Sequence, residues 1–305
     1  MLLFQMTTFK QIALIGSTAS GKTALSIELA HQSNANILSL DSLALYKKID
    51  IASAKPTIEE RANIQHFGID EYLPNEPFDV TTFIELYKKA KKESIQENKN
   101  LIIVGGTSFY LSSLLNGISQ LPPISQNAKE KSNKLLKNVE MAHAFLNNLD
   151  PQHLSSINTK DRYRIEKMLN LYFETSLTPT MYFKNNPPRP IIKDKLDIYE
   201  IDVEREVLRE RIKKRTKNML HAGLIDEVFY LEKTYTRQPN CMKSIGIKEV
   251  LSYMDGHYNK EEMEQRIVIH TAQLAKRQRT FNRSQFTDKT LLPLEKLREK
   301  LLKNS

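Results

Sequence analysis

Apolar positions along this chain come in two rhythms. Short, mainly apolar stretches stand at Phe9–Ile15, Asn36–Leu40 and Leu101–Val104, and strand character returns at Lys195–Ile201. They are too short for buried helices, which predicts strands of a parallel sheet covered on both faces. Between them apolar residues recur at helical spacing. Ala24–Gln32 reads as a helix, and Phe83–Gln96 as an amphipathic one with Phe83, Leu86, Tyr87 and Ala90 on one face. Glu59–Phe67 reads as a short helix. Further helices are predicted at Phe109–Leu115, Val203–Leu220, with Gly223 as its cap, Glu227–Glu232 and Glu261–Phe281. Strands alternating with helices predict an α/β fold.

The rhythm changes after Leu121-Pro122-Pro123. Asn127–Tyr182 is polar and mostly helical, and Asn185-Asn186-Pro187-Pro188-Arg189-Pro190 closes the stretch. Proline-rich hinges on both sides mark 121–190 as a helical insert. The α/β core then comprises 9–120 and 191–290, and 291–305 reads as a peripheral helix.

Composition narrows the class. One cysteine, Cys241, excludes an internal disulfide, and no Cys/His cluster has zinc-ligand spacing. A lone thiol suits a reducing cytoplasm. Met1–Phe9 is too short for a signal peptide, and no apolar run approaches a membrane span. The net charge of +9, from 45 basic and 36 acidic residues, is clustered. Basic groups gather at Lys160–Lys167 around Tyr163, along Val203–Leu220, at 243–248 and at 276–283. In a phosphate-binding protein such clusters point to a nucleic-acid track.

The candidate chemistry starts directly after the first strand. Gly16-Ser17-Thr18-Ala19-Ser20-Gly21-Lys22-Thr23 fits G-x-x-x-x-G-K-[ST] between a strand and a helix, the arrangement of a P-loop. Gly16 and Gly21 let the backbone turn its N–H groups inward, Lys22 supplies a cation and the Thr23 hydroxyl can hold Mg2+. The expected architecture is therefore a P-loop NTPase-like parallel sheet flanked by helices. Asp41 falls just past the second strand, at the end of the sheet where ligands bind; a turn cap is the alternative. Leu101–Val104 ends in Gly105-Gly106-Thr107, where ATP hydrolases and many kinases of this fold carry a magnesium-ordering Asp. That departure weighs against two alternatives, a small-molecule or nucleotide kinase and an RNA-binding ATPase. His66 reads as a packed or solvated residue.

The chain resembles the bacterial type of the tRNA dimethylallyltransferase family. The matching stretches are the P-loop, Ser39-Leu40-Asp41-Ser42, Tyr46–Ile51, Ala54-Lys55-Pro56, Val104-Gly105-Gly106-Thr107 through Tyr110, Ser244–Lys248 and Gln273–Gln278. The family's usual proline is Ser17 here, its Gln-Arg-x-x-Arg pattern appears as Tyr163-Arg164-Ile165-Glu166-Lys167, and Ala272 and Phe281 replace a usual Arg and Trp. The resemblance implies transfer of a dimethylallyl group from dimethylallyl diphosphate to N6 of the adenine just 3′ of a tRNA anticodon. It implies Asp41 as base, Thr107 orienting N6, and Arg215, with Arg211 as competitor, on the diphosphate held by residues 16–23 and Mg2+. It places Asp41, Ser42, Leu43, Ala44, Thr107, Lys129, Tyr163, Arg164, Ile165, Glu166, Lys167, Lys243, Lys248, Lys276 and Arg277 against the tRNA anticodon stem-loop. A monomer is expected.

Overall fold

The computed structural model describes residues 9–303. Among them, six strands build one sheet: β1 (Gln11–Ile15), β2 (Ala35–Ser39), β3 (His66–Phe67), β4 (Asn100–Gly105), β5 (Asp197–Asp202) and β6 (Thr290–Pro293). Their order is β3-β2-β4-β1-β5-β6, and every pairing is parallel. Ala13, Leu14, Ile15, Leu101 and Ile103 are fully buried, as central strands covered on both faces require. β1 lies between β4 and β5, so the chain leaves it at a switch point, where open parallel sheets form a ligand crevice.

Helices α1 (Lys22–Gln32), α2 (Val80–Gln96) and α3 (Ser108–Asn116) follow β1, β3 and β4. Asp79 caps α2 by accepting from the Thr81 and Thr82 amides. Then come α4 (Gln126–Leu135), α5 (Val139–Leu149), α6 (Pro151–Leu154), α7 (Arg162–Thr175) and α8 (Pro179–Asn185). After β5 stand α9 (Arg205–His221), α10 (Leu224–Tyr235), α11 (Ile247–Met254) and α12 (Lys260–Gln285), and α13 (Leu294–Lys303) ends the described chain.

The chain divides into two compact units. One runs to Ser112 and resumes at Ile192; the other is Ser113–Ile191. In the first, Leu14, Ile37, Ile102 and Val104 pack with Leu25 and Leu29 of α1 and Leu297 and Leu301 of α13. A second cluster joins Tyr46, Ile49 and Ala52 to Leu224, Val228 and Leu231 of α10 and to Ile247 and Val250 of α11. That cluster seats the irregular segment between β2 and β3. The second unit has its own core of Leu136, Ala142, Leu146, Leu154, Ile165, Met168 and Leu169. Ser125, Asn138, Asp150, Asp161 and Thr178 cap its five helices in turn.

Two expected elements differ. Glu59–Phe67 is a run of turns ending in β3 rather than a helix, because Ala62 and Asn63 adopt φ of 51° and 61°, which stops helical propagation. The segment from residue 291 is helical as expected from Leu294 to Lys303, but it is not peripheral. Its start completes β6 at the sheet edge, and Leu297 of α13 is fully buried. The Met1–Thr8 part of the leader reading, and Asn304 and Ser305, lie outside the described residues. Among the described residues, no helix is long and apolar enough to cross a membrane.

Candidate active site

The loop between β1 and α1 is built for tight turning. Gly16 has φ 151° and Gly21 has φ 98°, the latter in the left-handed region that glycine enters without strain. Gly21 is also the N-cap of α1, so the helix N-terminus faces the cleft with no capping side chain over it. Lys22 folds back along the loop. Its Nζ donates to Gly16 O at 2.9 Å and Ser17 O at 2.7 Å, with Ser20 Oγ at 3.4 Å. Burial, reinforced by the Arg215 guanidinium, lowers the Lys22 pKa to about 8; Asp41 and Glu200 pull the other way.

This loop forms one wall of a cleft of about 900 Å3. Asp41, Ala44, Ser53, Lys55, Gly105, Gly106, Arg211, Arg215 and Gln278 form the others. Asp41 is half-buried at the tip of β2. Its Oδ1 accepts from the Leu43 amide at 2.8 Å and the Ala44 amide at 3.3 Å. One oxygen thus caps the turn, while the carboxylate lines the cleft. Thr107 lies beside that turn, its Oγ1 accepting from the Ser42 amide at 3.4 Å. Ser42 is exposed, Leu43 half-buried, and Ala44 buried with one edge on the cleft.

Of the two candidate arginines, Arg215 is the more enclosed. It donates to Thr18 Oγ1 at 3.4 Å and to Ser53 O at 3.2 Å, and burial presses its pKa downward against the pull of Asp41. Arg211, one helical turn earlier, is exposed and reaches Ser20 O at 3.3 Å. His66 also borders the cleft, where burial lowers its pKa and its Nδ1 pairs with Ile64 O at 2.8 Å.

A metal would find few protein ligands here. Among the described residues no group of three His, Cys, Asp or Glu side chains could hold one. The exposed Thr23 hydroxyl on the cleft wall would fit a Mg2+ ion only if a bound polyanion and water supplied its other ligands.

Two residues that shape the cleft were not among the expected site residues, although Gln278 closes the matching stretch Gln273–Gln278. Glu227 on α10 takes three backbone amides of the 50–52 turn: Asp50 and Ile51 on Oε2 at 2.8 and 2.7 Å, and Ala52 on Oε1 at 2.9 Å. This sets Ser53, whose carbonyl receives Arg215, and Lys55, buried between Asp50 at 2.8 Å and Asp70 at 2.6 Å. Glu227→Ala leaves three N–H groups without their acceptor. It is expected to cost about 1.5–3 kcal/mol in urea unfolding, with a raised KM for any ligand of the cleft. The second residue is Gln278, whose Oε1 accepts from the Thr18 amide at 2.9 Å.

The remaining expected RNA contacts fall on both units. In the first, Lys243, Lys248, Lys276 and Arg277 are all exposed. In the second, Lys129 lies exposed on α4. On α7, Tyr163, Arg164 and Lys167 are exposed, Lys167 over the Tyr163 ring at 5.6 Å, and Glu166 is half-buried. Ile165 is a correction. It is fully buried in that unit's core, with no surface left to meet an RNA.

A parallel sheet with a glycine-and-lysine loop at its switch point defines a P-loop α/β protein. The sequence profile of the family described as IPP transferase matches residues 44–285, beginning just after Asp41. A tRNA dimethylallyltransferase of Sulfurovum sp. is 56% identical over 91% of this chain and 92% of its own. A solved tRNA delta(2)-isopentenylpyrophosphate transferase of Staphylococcus epidermidis is 30% identical, with a TM-score of 0.67 over 97% of this chain and all of its own. A solved eukaryotic dimethylallyltransferase acting on tRNA is 25% identical, with a TM-score of 0.81 over 93% and 74%. The chain belongs to the IPP transferase family.

Proposed function

We propose that this chain transfers a dimethylallyl group from dimethylallyl diphosphate to N6 of the adenosine 3′-adjacent to a tRNA anticodon, releasing diphosphate. The observation that carries the reading is that Asp41 lines the same cleft as Lys22 and Arg215. A carboxylate sharing a cleft with two cations suits a reaction in which a proton leaves one partner while negative charge gathers on the other.

The adenine N6 is a weak nucleophile, since its lone pair is delocalised into the ring. Asp41 accepts its proton as the N6–carbon bond forms and the carbon–oxygen bond to diphosphate breaks. Lys22, the loop amides and Arg215 hold the leaving diphosphate. Thr23 would hold a Mg2+ ion, which would supply further charge neutralisation there. Thr107 orients N6 from beside the Asp41 turn. The acceptor base is unpaired in an anticodon loop, so drawing it out costs a few kcal/mol at most. Ser42, Leu43 and Ala44 meet that nucleotide. Lys129, Tyr163, Arg164, Glu166, Lys167, Lys243, Lys248, Lys276 and Arg277 bind the stem-loop, working as a monomer in the cytoplasm.

The test is incubation with tRNA and labelled dimethylallyl diphosphate, scoring label in RNA. Label in the RNA with no ATP needed is the expected result; ATP turnover without label would restore the kinase reading.

The lowered pKa of Lys22 gives the diphosphate step a pH signature. A bound polyanion raises that pKa again, so binding takes up a proton between pH 8 and 10. Calorimetry with inorganic pyrophosphate is expected to show affinity falling as pH rises above 8. Buffers of different ionisation enthalpy should report the proton uptake.

A further inference from the structure

We propose that Gln278 is a positioning residue that holds the phosphate loop and the Gly105–Thr107 turn in register; this rests on the transfer reading above. Gln278 lies half-buried on α12, and its side chain faces two elements distant in sequence. Its Oε1 accepts from the backbone N–H of Thr18, 260 residues away. Its amide nitrogen lies so close to Gly106 that a β-carbon there would stand 2.4 Å from Nε2. The φ of Gly106 lies outside the left-handed region, so its bare backbone serves space, not conformation.

Each contact leads to one half of the reaction. Thr18 carries the hydroxyl that receives Arg215 and belongs to the loop that would hold diphosphate. Gly106 precedes Thr107, whose hydroxyl receives the amide of Ser42, the neighbour of Asp41. A neutral amide suits the task. It accepts from one element and packs its NH2 on the other without adding negative charge beside a diphosphate. Reacting groups lose rate steeply when misplaced: a shift of roughly 1 Å costs on the order of 100-fold.

The experiment compares Gln278→Ala, Gln278→Glu, Gly106→Ala and the double variant Gly106→Ala/Gln278→Ala in the labelled-transfer assay, with thermal melts as a folding check. Gln278→Ala is expected to raise the donor KM about 10-fold and lower kcat about 10- to 100-fold, with tRNA affinity by filter binding within about 3-fold of the parent. Gly106→Ala should cause a comparable loss alone, yet less than about 3-fold more in the Gln278→Ala background, where its β-carbon has no amide to meet. Gln278→Glu keeps the shape and should raise donor KM further through repulsion, which preserves a test where Gln278→Ala does not fold. Unchanged constants, losses confined to tRNA affinity, or strictly additive effects of the two substitutions overturn the proposal. A parent enzyme that transfers no label rejects the transfer reading instead. Calorimetry with inorganic pyrophosphate then decides for Gln278: binding about 10-fold weaker in Gln278→Ala supports its hold on the loop, and equal binding ends it.

Discussion

Asp41→Asn is expected to lower kcat for prenyl transfer by about 100- to 10,000-fold while tRNA still binds, the range a well-placed general base contributes. Asparagine is the informative substitution because this side chain caps a turn and, in the proposed reaction, also takes the proton. Its amide oxygen can still accept from Leu43 and Ala44, so the turn past β2 is retained. What it lacks is a carboxylate able to take a proton. Asp41→Ala removes the cap as well, adding roughly 1 kcal/mol of destabilisation. Single-turnover rates and tRNA affinities of both variants separate the roles. A near-parental rate in Asp41→Asn would leave Asp41 as a turn cap alone.

Lys22→Met is expected to lower kcat/KM for the donor by about 100- to 1,000-fold, with unfolding free energy that holds or rises. The cause is the environment that makes Lys22 useful. Burial moves its pKa from 10.5 to about 8, so keeping the ammonium inside at pH 7 costs about 3 kcal/mol, offset by the Gly16 and Ser17 carbonyls it satisfies. That cost is complete below pH 8 and fades as pH rises from 8 to 10.5, where the charge is lost in the unfolded chain too. Urea unfolding of parent and Lys22→Met at pH 7 and pH 10 should therefore show the parent gaining relative stability at the higher pH. Activity exchanged for stability in this way marks a site strained for its ligand.

Legibility tracked the range of the interactions. The strands, α1 and the phosphate loop were readable because their information lies within a dozen residues: apolar runs, two glycines, one lysine. Glu59–Phe67 misled because helical spacing does not report the left-handed backbone at Ala62 and Asn63. Ile165 was drawn to the RNA by its place in a motif, although its spacing to Met168 and Leu169 already put it on the apolar face of α7. The segment from residue 291 looked peripheral because a short edge strand carries little pattern of its own. Only its pairing with β5 makes it part of the sheet.

The sequence by itself determined that a parallel α/β sheet would carry a phosphate loop at one strand end, with Asp41 and Gly105–Thr107 at neighbouring ends. Backbone geometry and strand periodicity act locally, so the order of residues suffices. The tertiary structure alone decided that Arg215 is enclosed while Arg211 is exposed, that Glu227 fixes the 50–52 turn, and that Gln278 spans Thr18 and Gly106. Those partners stand 162 to 260 residues apart. Which side of a helix meets which loop follows from how α9, α10 and α12 pack, and that is settled by burying apolar surface in the whole fold, not by any short stretch of chain.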